Sequence, residues 1–182
     1  MHDGKSVWRP SKIISGMQTG ADMGGLKAAR RLGIPTGGWA PKGYRTENGN
    51  WKSIGDLYGL CEHTSSNYAP RTEENVRDAD ATIIIVRADV QSIGSKLTQR
   101  LCCKYSKPWQ RIMVTPLLSF QDSTTLFNTR EWLNSYRPQI LNIAGNRESL
   151  APGIGGWTEM FLYTVLFQSN DGNSGGEAAL RR

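Results

Sequence analysis

Three cysteines and two histidines are all the thiols and imidazoles that the chain's 182 residues offer for metal binding or redox chemistry. Cys61, Cys102 and Cys103 are odd in number, two of them adjacent, so they form neither a disulfide framework nor a CxxC zinc pattern. With His2 and His63 the only histidines, a His-rich metal site is not expected, and a Ser-His-Asp triad would have to use His63 without a nucleophile-elbow motif. No apolar run approaches the ~18 residues of a membrane span. The first residues, Met1 to Lys5, are polar and lack a signal-peptide core, so the expected compartment is the cytoplasm. Net charge is +6, yet Lys and Arg are scattered rather than clustered, and no nucleic-acid motif is present. A modest positive field of this kind suits a small anionic ligand.

What is present is alternation. Residues 11–15 read as a strand, and Leu26, Ala28, Ala29 and Leu32 mark a helix over 21–32 that Gly33 ends. Residues 34–39 read as a short extended segment. Residues 40–70 are rich in Gly, Pro, Asn and Ser and read as a long functional loop. A polar helix over 73–80 leads into Ala81–Val86, a continuous β-branched run suited to a parallel strand buried on both faces. Helix 94–105, strand 109–115, helix 123–136 capped by Asp122, strand 140–144 and helix 152–167 complete the pattern. The expected organisation is a flexible leader over 1–10, one α/β domain over 11–168 and a disordered tail over 169–182. Strands alternating with helices imply a mainly parallel sheet covered on both faces, a three-layer fold. Ligands of such sheets bind beyond the carboxyl ends of the strands.

Four strand exits carry small, hydroxylic or cationic residues. The first holds Ser15, Gly16, Gln18, Thr19 and Gly20, where a helix N-terminus is expected to offer unpaired N–H groups to an oxyanion. The second holds Lys42 and Gly43 after Trp39, whose ring could stack on a ligand. The third holds Gly94, Ser95 and Lys96, and the fourth Asn146, Arg147, Glu148 and Ser149. Plainer roles compete at each: Ser95 as a helix cap, Arg147 with Glu148 as a structural ion pair, Arg71 with Asp78 as another. Abundant apolar residues on the last helix (Trp157, Met160, Phe161, Leu162, Tyr163) fit either an oligomer contact or the core.

Four segments together resemble the molybdenum-cofactor carrier family: Ile14–Asp22, Gly37–Gly43, Arg71–Thr82 and Asn142–Ser149. The likeness spans residues 12–167 in the same order with similar gaps. It implies a Rossmann-like domain related to the Lonely Guy and DNA-processing nucleotide-binding families, assembled as a homo-oligomer, a tetramer or dimer. It further implies a carrier without catalysis that binds molybdopterin carrying molybdenum. Molybdoenzymes or cofactor-synthesis proteins would be its partners, with no nucleic acid and no membrane. The binding residues it implies are those of the strand exits together with Arg71 and Asn75. Two positions depart from the family's pattern. Met17 stands where a glycine is usual, and Ile93-Gly94-Ser95 replaces Gly-Gly-Thr, which would bring a bulky side chain to a phosphate loop. A nucleotide-derived-ligand sensor shares every loop feature used here. A nucleotide phosphoribohydrolase would need a Pro-Gly-Gly-x-Gly-Thr loop leading to a Glu, and neither follows Val86.

Overall fold

The computed structural model describes residues 7–115 and 119–167. Its central sheet is built from β1 (Lys12–Ser15), β2 (Thr36–Gly37), β7 (Ala81–Arg87), β8 (Trp109–Val114) and β9 (Ile140–Gly145), all parallel, in the order β2-β1-β9-β7-β8. The chain first winds outward from β1 to β2, later from β7 to β8, and then returns β9 to the middle. The exits of β1, β9 and β7 therefore flank the point where winding reverses, the usual ligand crevice of an open α/β sheet.

Helices α1 (Ala21–Arg31), α5 (Ser123–Tyr136) and α6 (Ile154–Leu166) share one core with Ile13, Ile83, Ile85, Leu141 and Ile143 of the strands. On the other face, α3 (Tyr68–Asp78) and α4 (Ile93–Lys104) close over Val76, Leu101 and Cys102. Both faces of β7 are thus covered, as its unbroken β-branched run requires, and each isoleucine so buried contributes about 1.5–3 kcal/mol. Glycines in α1 set the layer spacing. A Cβ on Gly24 would lie 2.4 Å from the Gly155 carbonyl oxygen of α6, and one on Gly25 would lie 2.7 Å from Ile143. The helix accepts two poor helix formers because only they permit this approach.

Residues 40–70 are not a single loop. β3 (Trp39–Ala40) pairs in parallel with β6 (Cys61–Glu62), β4 (Arg45–Thr46) and β5 (Gly49–Asn50) form a hairpin, and α2 (Lys52–Leu57) follows. Gly38, at φ 119°, separates β2 from β3 and sends them into different sheets, so the expected extended segment 34–39 is divided. This region has its own small core of Met17, Met23, Leu26, Ala40, Tyr44, Tyr58 and Leu60. Helix α3 starts at Tyr68 rather than 73, and α6 at Ile154 rather than 152.

The leader expected over 1–10 is not loose where it is described. Val7 is buried, and the Trp8 N–H donates to Asn134 Oδ1 at 2.6 Å while its indole donates to the Pro138 carbonyl at 2.9 Å. An indole with a partner waiting at the end of α5 holds the segment down. Residues 1–6 and the expected tail over 169–182 lie outside the described residues. Among the described residues no helix is long and apolar enough to cross a membrane.

Candidate functional site

The first turn of α1 was expected to be an open anion seat, but several backbone donors there and in the loop before it are used within the chain. Ala21 N–H donates to the Asn146 carbonyl at 3.0 Å and Met23 N–H to the Gln18 carbonyl at 3.2 Å. Gln18 N–H donates to the Asp22 carboxylate at 3.1 Å, and Thr19 N–H to Gln18 Oε1 at 3.0 Å. Three of these donors go to Asn146 and Gln18, and the fourth goes to an acidic residue in the helix's first turn. Asp22 itself places a carboxylate at this helix N-terminus, favourably for the helix dipole, and it is held by the N–H groups of Gln18 and Gly145. Arg71 completes its coordination at 3.3 Å, with the Asp22 side chain buried and that of Arg71 largely so. Burial pushes the Asp22 carboxyl above the usual carboxylate range, against the Arg71 charge and the N–H groups of Gln18 and Gly145. The Arg71 guanidinium lies so close over Gly16 that a Cβ there would sit 1.4 Å from Nη1, which is why this position takes glycine. Arg71 is therefore committed to Asp22, not to Asp78. Ser15 is likewise structural, its hydroxyl donating to the Ile143 carbonyl at 2.8 Å.

Met17 adopts φ 63°, the left-handed region in which glycine is at ease. Its side chain is fully buried in the second core, and that burial offsets the strain. A glycine at this position, as in the carrier pattern that the sequence resembles, would take the same bend without strain.

The exit of β9 is the other half of the site. Asn146 ties three segments: its N–H donates to the Ile85 carbonyl at 3.0 Å, its Oδ1 accepts from Arg87 N–H at 2.6 Å, and its carbonyl accepts from Ala21. Its Nδ2 is buried with no hydrogen-bond partner among the described residues. Gly20, at φ 79°, lets the β1 exit run against this loop, since a Cβ there would be 2.4 Å from the Asn146 carbonyl oxygen. Glu148 caps α6, accepting from Gly153 N–H and from Gly155 N–H at 3.1 Å, and so does not pair with Arg147. Its own N–H donates to the Thr19 hydroxyl oxygen at 3.2 Å.

The remaining donors converge on a residue that sequence reasoning did not single out. Glu47, at the tip of the β4–β5 hairpin, accepts from the hydroxyls of Thr19 and Ser149. It also accepts from Ser149 N–H at 3.1 Å and faces Arg147 Nε at 3.4 Å. Its N–H donates to Gln18 Oε1 at 3.0 Å. Burial alone would push its carboxyl up, but the hydrogen bonds from Ser149 and Thr19 and the Arg147 charge outweigh it and hold the group below the usual range. Two hydroxyls, a backbone N–H and a guanidinium around one carboxylate make an oxyanion seat. Asn48-Gly49 is a recognisable hairpin signal, but nothing local says where the tip docks.

Beside this seat lies a cavity of about 560 Å³, lined by Thr19, Met23, Lys27, Trp51, Ile54 and Glu148 among others. The aromatic wall is Trp51, not Trp39. Trp39 donates its indole N–H to Asp78 at 2.7 Å, and its backbone N–H and carbonyl are both held by the Asn75 amide, at 3.0 and 3.1 Å. Asn75 is thus a splint between α3 and β3. Gly43 N–H donates to Glu62 at 2.6 Å, and Lys42 is exposed. At the start of α4, Ser92 rather than Ser95 is the cap, accepting from Ser95 N–H at 3.2 Å, while the Ser95 hydroxyl donates to Ser92 Oγ at 3.0 Å. Ile93 is 85% exposed and points its bulk to solvent, beside the exposed Lys96 and not against an anion loop. No hydrogen bond or ion pair among the described residues ties Gly94, Ser95 or Lys96 to the seat. On α6, Phe161 and Leu162 belong to the core, while Trp157, Met160 and Tyr163 are half-buried. Among the described residues no group of His, Cys, Asp and Glu side chains is placed to hold a metal ion.

Residues 13–166 match the model of the circularly permutated YpsA SLOG family. The chain belongs to this family. The SLOG chain is also similar to a solved structure from Syntrophus aciditrophicus SB, named there "Putative molybdenum carrier protein", with 38% identity and a TM-score of 0.78 over 90% of this chain and 98% of that one. None of the curated proteins compared with it matches. The family and the neighbour favour a ligand-binding role for a Rossmann-like α/β domain.

Proposed function

We propose that this SLOG chain binds and carries molybdenum cofactor as cargo, without turning it over. The observation that carries the reading is the convergence of Thr19, Arg147 and Ser149 on one carboxylate at the edge of an aromatic-walled cavity. The cargo has a phosphate at one end and a flat pterin in its body. A phosphate needs hydroxyl, N–H and guanidinium donors together, and the pterin needs a cavity of a few hundred Å³ with an aromatic wall, the place of Trp51. The name of the solved neighbour, a molybdenum carrier, supports a molybdenum-related ligand. A carrier role rather than catalysis is supported by the local carboxylates: Asp22, Glu47 and Glu148 are each engaged as hydrogen-bond acceptors rather than poised as a free base. The carrier is taken to act as a homo-oligomer in the cytoplasm and to exchange its cargo with molybdoenzymes or cofactor-synthesis proteins.

Titration of the purified apo-protein with molybdenum cofactor under anaerobic conditions tests this, with AMP, ADP and ADP-ribose as competitors. Saturable cofactor binding that the nucleotides do not displace is the expected result. Tight nucleotide binding without cofactor binding overturns it and makes the chain a sensor of a nucleotide-derived ligand. Release of ribose 5-phosphate from a nucleotide would make it an enzyme.

A further inference from the structure

We infer that Glu47 is a built-in stand-in for the ligand's anionic group, and that the β4–β5 hairpin is a latch which a tetrahedral oxyanion displaces on entering the seat. The inference rests on the reading that Thr19, Arg147 and Ser149 form the anion end of the binding site.

The seat is chemically a receptor for an oxyanion, and its occupant is one. One Glu47 oxygen faces the Thr19 hydroxyl and Ser149 N–H, and the other faces the Ser149 hydroxyl and Arg147 Nε. Every one of these donors is a type that phosphate accepts from equally well. A phosphate brings up to two negative charges and three free oxygens where the carboxylate brings one charge and two oxygens. The competition therefore favours the incoming dianion, provided Glu47 can leave.

The carboxylate sits on a part of the fold made to leave. β4 and β5 are two residues each, and a lone two-stranded hairpin is marginal in water. Asn48, Gly49 and Asn50 are exposed, and Gly49 turns the chain at φ 107°, while Thr46 is buried and the exposed Arg45 lies over the Tyr68 ring, so the tip rather than the whole hairpin is the part free to move. Among the described residues, the tip's other hydrogen bond to the domain is that of the Glu47 N–H to Gln18 Oε1. The base of the hairpin is anchored differently: Tyr44 lies in the second core, and its carbonyl accepts from Trp51 N–H at 3.0 Å. The tip can swing while the base stays. Asn48, next to Glu47, lines the cavity, so the same movement widens it. Asp22 and Glu148 also sit on donor sets of their own, but they belong to α1 and to the cap of α6 and cannot depart without unwinding a helix end. Of these three carboxylates, Glu47 alone combines a ligand-like seat with a displaceable support.

A ligand that must displace an internal competitor binds with an affinity reduced by the fraction of open molecules, so removing the competitor's charge strengthens binding. The test titrates inorganic phosphate, and in a second arm molybdate, into the full chain and into Glu47→Gln, Glu47→Asp and Ser149→Ala, with thermal melts to establish folding. Glu47→Gln is expected to tighten phosphate binding by about tenfold. Glu47→Asp, which keeps the charge but falls one methylene short of the seat, is expected to move in the same direction. Ser149→Ala is expected to weaken binding. In wild type, adding phosphate should speed hydrogen exchange at the Glu47 N–H. If Ser149→Ala weakens binding while both Glu47 variants leave it unchanged or weaker, the seat stands and the latch is wrong. If no variant changes the affinity, or neither anion binds any of them, both the seat and the latch are overturned. Tightening for molybdate alone would assign the seat to the oxometal end rather than the phosphate end.

Discussion

Replacing Arg71 with alanine tests the buried pair that organises the β1 exit. The substitution strands the Asp22 carboxylate, which is only 6% exposed. Breaking one side of a buried ion pair costs about 3–5 kcal/mol. Two features of the structure pull the value down. Asp22 keeps its N–H partners at Gln18 and Gly145. Arg71 Nε is buried without a hydrogen-bond partner among the described residues, a penalty of about 1–3 kcal/mol that the truncation removes. The net expectation is about 2–3 kcal/mol, or a fall in Tm of roughly 5–10 °C for a chain of this size. The pH dependence has a definite sign. The folded-state pKa of Asp22 already lies above its ordinary 3.8, and losing the Arg71 charge raises it further. A group raised in the folded state gives its full stabilisation below its unfolded pKa and loses it as pH rises through the folded value. The deficit of Arg71→Ala against wild type should therefore shrink on acidification from neutral pH towards 3.8. Asp22→Asn in the Arg71→Ala background should recover stability, because it removes the stranded charge. Urea denaturation across that pH range, run as a double-mutant cycle, measures all three. A loss under about 1 kcal/mol that does not vary with pH, or a double variant no better than Arg71→Ala, would refute the reasoning.

Three further outcomes are expected. Met17→Ala should cost about 3 kcal/mol by denaturant melt, because the side chain is fully buried; Met17→Gly should be no worse than alanine, since φ 63° suits glycine, whereas the reverse order would mean that the bend is not left-handed. Ile93→Gly, which brings in the residue of the carrier pattern that the sequence resembles at a site 85% exposed, should shift stability by no more than about 0.5 kcal/mol and leave the phosphate titration unchanged; a large gain in affinity would return the anion site to α4. The Glu47 carboxyl, held below its ordinary 4.5, stabilises its seat above that value and loses it as pH falls through the lowered one, so Trp51 emission should report the hairpin opening only in that acidic window.

Much of the fold was legible because its determinants are local. The β-branched run Ala81–Val86 fixes β7 wherever it packs, the four-residue spacing of Leu97, Leu101 and Tyr105 fixes α4, and Asp122 caps α5 by accepting from Thr125 N–H at 2.8 Å. The alternation of such elements allows little besides a covered parallel sheet, and with it a ligand crevice at the strand exits. The starts of α3 and α6, the division of residues 34–39 between two sheets, and the anchoring of Trp8 were not legible, because each depends on a partner distant in sequence.

The same division runs through the candidate site. The sequence itself supplied Thr19, Arg147 and Ser149 as donors on two loops, since hydroxyls and guanidinium are donors in any context. It could not decide that Arg71 and Asn75 serve the framework, that Trp51 walls the cavity in place of Trp39, or that Glu47 crosses 102 residues of sequence to reach Ser149. Residue type determines what a side chain is able to bond. Which bonds form depends on the spatial neighbours, and in this chain the folded domain uses its own carboxylates, Asp22, Glu47 and Glu148, to satisfy donors that the sequence had left open for a ligand.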